Sequence, residues 1–101
     1  MNNLRSYRQG DIILIEIQDA TLLGDPHSNV LAEGEVTGHK HKIINGSVFS
    51  HRWGNGVMIV KAEDGTKLTH PEHGHIQIAE GLWEVRIQRE YDELNNRNVT
   101  D

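Results

Sequence analysis

Apolar and polar residues alternate along most of this chain, and that alternation leaves little room for anything but strands. "LWEVRIQREY" puts Trp83, Val85, Ile87 and Tyr91 on one side and Glu84, Arg86, Gln88 and Glu90 on the other, the period of a half-buried strand. "DIILIEIQ" is β-branched and of strand length, with Ile13, Ile15 and Ile17 sharing a face. "VLAEGEVTGHKHKI" reads as extended, with Gly34 and Gly38 as bulges or close backbone approaches. The breaks are turn dipeptides: Gly24-Asp25-Pro26, Asn45-Gly46, Asn55-Gly56, Asp64-Gly65 and Glu80-Gly81. A short helix through "YDELNNR" is weakened by Asn95 and Asn96. The pattern predicts an all-β domain of about seven short strands. A small barrel or jelly roll is expected, because closure removes edges open to aggregation. The domain is expected over residues 1–91, with a polar tail over 92–101.

A chain of 101 residues holds one modest core and gains from a metal, a partner subunit or close packing. A homo-oligomer is therefore expected. Net charge is −5 with the histidines neutral. That argues against sequence-independent binding to a phosphate backbone, which needs clustered cations. There is no cysteine, so disulfides, thiolate zinc sites and thiol nucleophiles are excluded and any metal must be held by nitrogen and oxygen. "MNNLRSYRQGD" lacks an apolar leader core and no apolar run reaches membrane-spanning length. The expectation is a cytoplasmic protein without a membrane partner.

Two histidine clusters stand out. "GHKHK" carries His39 and His41, and "HPEHGH" carries His70, His73 and His75. Strand residues two apart point to one face, so His39 and His41 present paired imidazoles. With Cβ atoms roughly 7 Å apart, both rings can reach one ion at about 2.1 Å. The remaining ligands are expected from His70, His73 and His75. His70 and His73 rank ahead, since His70 extends "KLT", His73 follows the Pro71 turn and His75 opens the next strand. The competing reading is a solvated strand edge, which Lys40 and Lys42 favour. His27, beside Pro26, and His51, among Phe49 and Trp53, read as non-ligands. Glu35, Glu72 and Glu84 are candidate proton acceptors, one of which would serve; Glu33 reads as surface charge. Trp53 and Trp83 read as core or pocket wall.

"GHKHKIING" resembles the start and end of the first motif of the cupin family, and "IAEGLWEV" resembles the second. Ala79 stands where that family has proline, and Glu84 where it has histidine. No glutamate follows His41 at the family's spacing; Asn45 is the nearest polar residue. The resemblance runs over Gly38 to Val85 and implies a β-barrel or jelly roll with an interior metal near His39 and His41. It implies no reaction, since that fold hosts many.

Imidazoles with one carboxylate suit Zn²⁺, Mn²⁺, Fe²⁺ or Ni²⁺. Zinc is favoured, acting on water for hydrolysis or hydration of a small-molecule or exposed polymer substrate. The alternatives are a non-catalytic, metal-stabilised β module for binding or oligomerisation, and an iron-dependent cupin-type oxygenase.

Overall fold

The computed structural model describes residues 5–34, 36–54, 56–88, 90–92 and 97–99. It is all-β, as the alternation predicts, with one three-residue 3₁₀ turn at Ala20–Leu22. The strands are β1 (Ser6–Gln9), β2 (Ile12–Ile17), β3 (Leu23–His27), β4 (Val30–Glu33), β5 (Lys40–His51), β6 (Met58–Thr69), β7 (Ile76–Gln77), β8 (Gly81–Ile87), β9 (Glu90–Asp92) and β10 (Arg97–Val99). The main sheet is antiparallel in the order β1-β2-β8-β6-β5-β3, with β4 added to β5 and β7 to β6. Closure is not observed: among the described residues no ladder joins β1 to β3, so the sheet is open rather than a barrel. The strands over 90–92 and 97–99 pair with each other in a separate two-stranded ladder. Part of the expected polar tail is therefore extended; residues 93–96, 100 and 101 of that tail lie outside the described residues.

The long hairpin β5–β6 organises the rest. Its outer stretch pairs Gly46–Ser50 with Met58–Ala62, and its inner stretch pairs Lys42–Ile44 with Lys67–Thr69. Between them Asn45 opposes Glu63–Thr66, and the register shifts. The residues that read as turns, Asn45-Gly46 and Asp64-Gly65, form this bulge. Asn45 (φ 56°) and Gly65 (φ 88°) supply the left-handed backbone, but the chain bends without reversing. Thr66 is fully buried. Its hydroxyl donates to the Asn45 carbonyl and accepts from the Glu63 N–H at 2.8 Å. Thr66→Val keeps the shape and strands both groups, so a loss of about 1–3 kcal/mol is expected and is read by urea denaturation.

The bulge lets one hairpin face two sets of neighbours. Its outer half pairs with β8 and β3, its inner half with β7 and β4. Ile12, Leu14, Ile43, Val48, Val60, Leu68, Trp83 and Val85 fill the core. On β2 the buried pair is Ile12 and Leu14; Ile13, Ile15 and Ile17 share the other, half-buried face. Trp83 is fully buried, with Tyr7 4.9 Å from its ring and the Arg5 guanidinium 5.4 Å away. Arg5 also forks onto Glu16 at 2.6 and 3.2 Å, which raises the arginine and holds the Glu16 carboxyl below its ordinary range. Trp53 departs from expectation: it is 69% exposed, on the loop between β5 and β6, under Arg52. Among the described residues no helix is long and apolar enough to cross a membrane.

Candidate metal centre

Three segments meet at the inner end of the β5–β6 hairpin. The first is the end of β4 and the start of β5. The stretch expected to run extended from Val30 to Ile43 instead folds back on itself, pairing Val30 with Lys42, Ala32 with His41 and Glu33 with Lys40. Gly38 (φ 72°) makes the reversal, with backbone bonds from Gly34 N–H to His39 O and from Gly38 N–H to Gly34 O. The turn sets His39 beside the first residue of β5 and His41 inside it. Glu33 ends its own strand rather than sharing one with His39 and His41. Glu35 lies outside the described residues.

The second segment follows β6. Lys42 pairs with Thr69, so the antiparallel register delivers His70 next to His41. The two rings are 4.4 Å apart, and His39 meets His70 edge-on at 5.5 Å. The chain then turns through Pro71. The Glu72 and His73 N–H groups both donate to His70 Nδ1 at 3.1 Å. That closes the turn and lays His73 4.4 Å from His70 and 5.9 Å from His41, nearly parallel to the latter. "GHKHK" and "HPEH" thus come together.

The third segment is the β1–β2 hairpin tip, "QGD". Gln9 pairs with Ile12, leaving Gly10 and Asp11 as a two-residue turn. Gly10 has φ 57° at the first central position, the type II′ arrangement. Gln9 is buried, and its amide nitrogen donates to the carbonyls of Leu68 and Gly74 at 3.1 and 2.8 Å. Its oxygen lies 2.9 Å from His41 Nδ1. Asp11 Oδ1 lies 3.3 Å from His41 Nε2. Gly10 is tight against the rings: a Cβ there would stand 2.8 Å from His73 Nε2 and 3.2 Å from His41 Cε1. No motif spacing in the sequence points to Gln9, Gly10 or Asp11. The available signal was Gly-Asp between two apolar runs, a hairpin tip with a carboxylate on it.

His41 and His70 are buried. His39 Nδ1, the Nε2 atoms of His41, His70 and His73, and Asp11 Oδ1 are all shielded from solvent. At the rim, Glu72 is 68% exposed in its side chain and sets Oε1 3.5 Å from His39 Nδ1. The other candidates lie apart. His75 and His27 are exposed, His27 with Nδ1 on the Ser28 carbonyl oxygen. His51 Nδ1 accepts from the Trp53 and Gly54 N–H groups, capping the loop after β5 as His70 caps the turn after β6. Glu84 is engaged by Arg86 at 2.8 Å on β8. Among the described residues no group of three His, Asp or Glu side chains already stands in metal-holding geometry; His41–Asp11 and His39–Glu72 are two pairs of potential donors in close contact. A separation of 3.3 Å suits two donors each about 2.1 Å from one ion.

No curated protein and no solved structure matches the chain. A family model described as "Domain of unknown function (DUF8820)" matches residues 8–88, a span that takes in Gln9, Gly10, Asp11 and all four clustered histidines, and the chain belongs to that family.

Proposed function

We propose that the cluster is a divalent metal centre with nitrogen and oxygen ligands, zinc favoured over manganese, iron or nickel, and that the metal activates water for hydrolysis or hydration. The observation that carries the reading is the setting of His41. Its Nδ1 is held by a buried amide while its Nε2 faces a carboxylate at 3.3 Å. An anchored far nitrogen with the near one beside a second donor is the outer-shell pattern of metal-ligating histidine. His41, Asp11 and His73 are the ligand set, and His39 completes it from the rim after small ring rotations. When bound, a zinc ion with an open position supplies hydroxide near neutral pH. Glu72, exposed at the rim, is the candidate proton acceptor that remains among the described residues; Glu84 is turned to Arg86.

The burial of His41 and His70 favours one second reading, a closed, non-catalytic metal site that stabilises a binding or oligomerisation module. Elemental analysis of protein purified without a polyhistidine tag tests the shared claim. Stoichiometric metal is expected. His41→Ala and His73→Ala should each weaken it on the order of 100-fold or more, beyond the usual effect of losing an outer-shell partner. Protein that takes up none of zinc, manganese, iron or nickel overturns both readings. A water ligand seen on the bound metal favours the enzyme, and a saturated protein shell favours the module.

A further inference from the structure

His41 and His70 touch the same cluster but are wired oppositely. The Gln9 amide is oriented by its two donor bonds to carbonyl oxygens of Leu68 and Gly74, so the atom facing His41 is the amide oxygen, which only accepts. His41 Nδ1 is therefore the donor, and when the ring is neutral its lone pair lies on Nε2, facing Asp11 Oδ1 at 3.3 Å, two acceptors that an ion between them would satisfy. His70 Nδ1 accepts two backbone N–H bonds, so its lone pair is spent on the turn. The proton of that neutral ring sits on Nε2, which is buried in the cluster. A nitrogen that carries a proton does not ligate a metal.

We propose that His70, although the most central ring of the cluster, is not a metal ligand but a fixed N–H donor to an oxygen ligand carried by the metal, and that Gln9 is the positioning residue that keeps His41 a ligand. The assignment of roles rests on the metal reading; the assignment of tautomers does not. The ligand class follows from the chemistry. A preset donor beside a cation favours a carboxylate, a carbonyl oxygen or hydroxide over an apolar or cationic group.

Nitrogen-15 NMR of histidine-labelled, metal-free protein reads the tautomers directly. His41 with a proton on Nδ1 and His70 as Nε2–H is the expected result; His41 protonated on Nε2 alone, or His70 protonated on Nδ1, overturns the proposal. Gln9→Glu keeps an acceptor at His41, whereas Gln9→Met removes it, and both lose the two carbonyl contacts. Gln9→Glu should keep the His41 proton on Nδ1, whereas Gln9→Met should free the ring to change tautomer, and the same His41 tautomer in both variants would reduce Gln9 to a structural role. The second experiment uses Co²⁺ as the metal and acetate as the oxygen ligand, followed by the cobalt visible spectrum. His70→Asn keeps an acceptor for the turn, as asparagine does in Asx turns, but has no group in place of Nε2–H. It should hold Co²⁺ as wild type does and bind acetate about tenfold more weakly, the loss of one hydrogen bond to a charged group. Loss of Co²⁺ from His70→Asn makes His70 a ligand and overturns the proposal, as does unchanged acetate affinity. If wild-type protein itself takes up no Co²⁺, the metal reading and the donor role fall together, while the NMR result stands on its own.

Discussion

Gly10→Ala should empty the metal centre while leaving the sheet folded. Two effects act at this position. An L-residue at φ 57° costs about 1–2 kcal/mol, and the added methyl would stand 2.8 Å from His73 Nε2 and 3.2 Å from His41 Cε1. Neither neighbour is a freely swinging chain end. His41 is tied to Gln9, and His73 follows a turn closed on His70. Relief must come from moving the rings or the hairpin tip, and either displaces Asp11 from His41. Zinc affinity should fall on the order of 100-fold, at least the effect of losing an outer-shell partner. Gly65→Ala is the matched control: it has the same left-handed strain (φ 88°) and nothing within 4 Å of a new Cβ. It should lower the melting temperature comparably and leave zinc affinity unchanged. Equal zinc affinity in both variants would mean that the contact at Gly10 is irrelevant to binding.

Removing the metal should be the largest single perturbation of stability. The cluster brings together residues 9–11, 39–41 and 70–73, a set that the unfolded chain cannot present. An ion that binds only the folded state stabilises it by mass action, about 2.7 kcal/mol when present at a hundredfold its dissociation constant. For a domain of this size that corresponds to a rise in melting temperature of roughly 10–20 °C. Chelator should reverse it, and His41→Ala should abolish the response. Superimposed melting curves with zinc and with chelator would assign the histidines to packing and turn capping alone.

Much of this was legible in the sequence, for identifiable reasons. Period-two spacing shows the strands because side chains alternate across a sheet whatever its topology, and Trp83 and Val85 are core as that spacing requires. The histidine clusters are legible because "HKH" at the start of a strand and "HPEH" after one are local patterns. Their meeting depends on a register that pairs Lys42 with Thr69, which no local pattern shows. Illegible parts share a cause. Asn45-Gly46 and Asp64-Gly65 demand left-handed backbone, and a bulge and a turn demand it alike. Barrel closure does not follow from strand count when one hairpin is long enough to serve both halves of a sheet. The part played by His70 depends on which ring nitrogen the turn consumes, and only the folded backbone shows that. Gln9 and Asp11 carry no local signal of the cluster because their partners lie some thirty and sixty residues away.

That remoteness bears on the order of events as the protein folds. Hairpins β1–β2 and β5–β6 close from local contacts, whereas the cluster needs the first, middle and last thirds of the chain to have docked, and long loops close late. The β1–β2 tip is therefore expected to complete the centre late in folding, after the transition state. An ion bound there would leave the folding rate almost untouched and act as a brake on unfolding, since interactions absent from the transition state slow only the way out. The metal would set the lifetime of the assembled chain rather than guide its assembly.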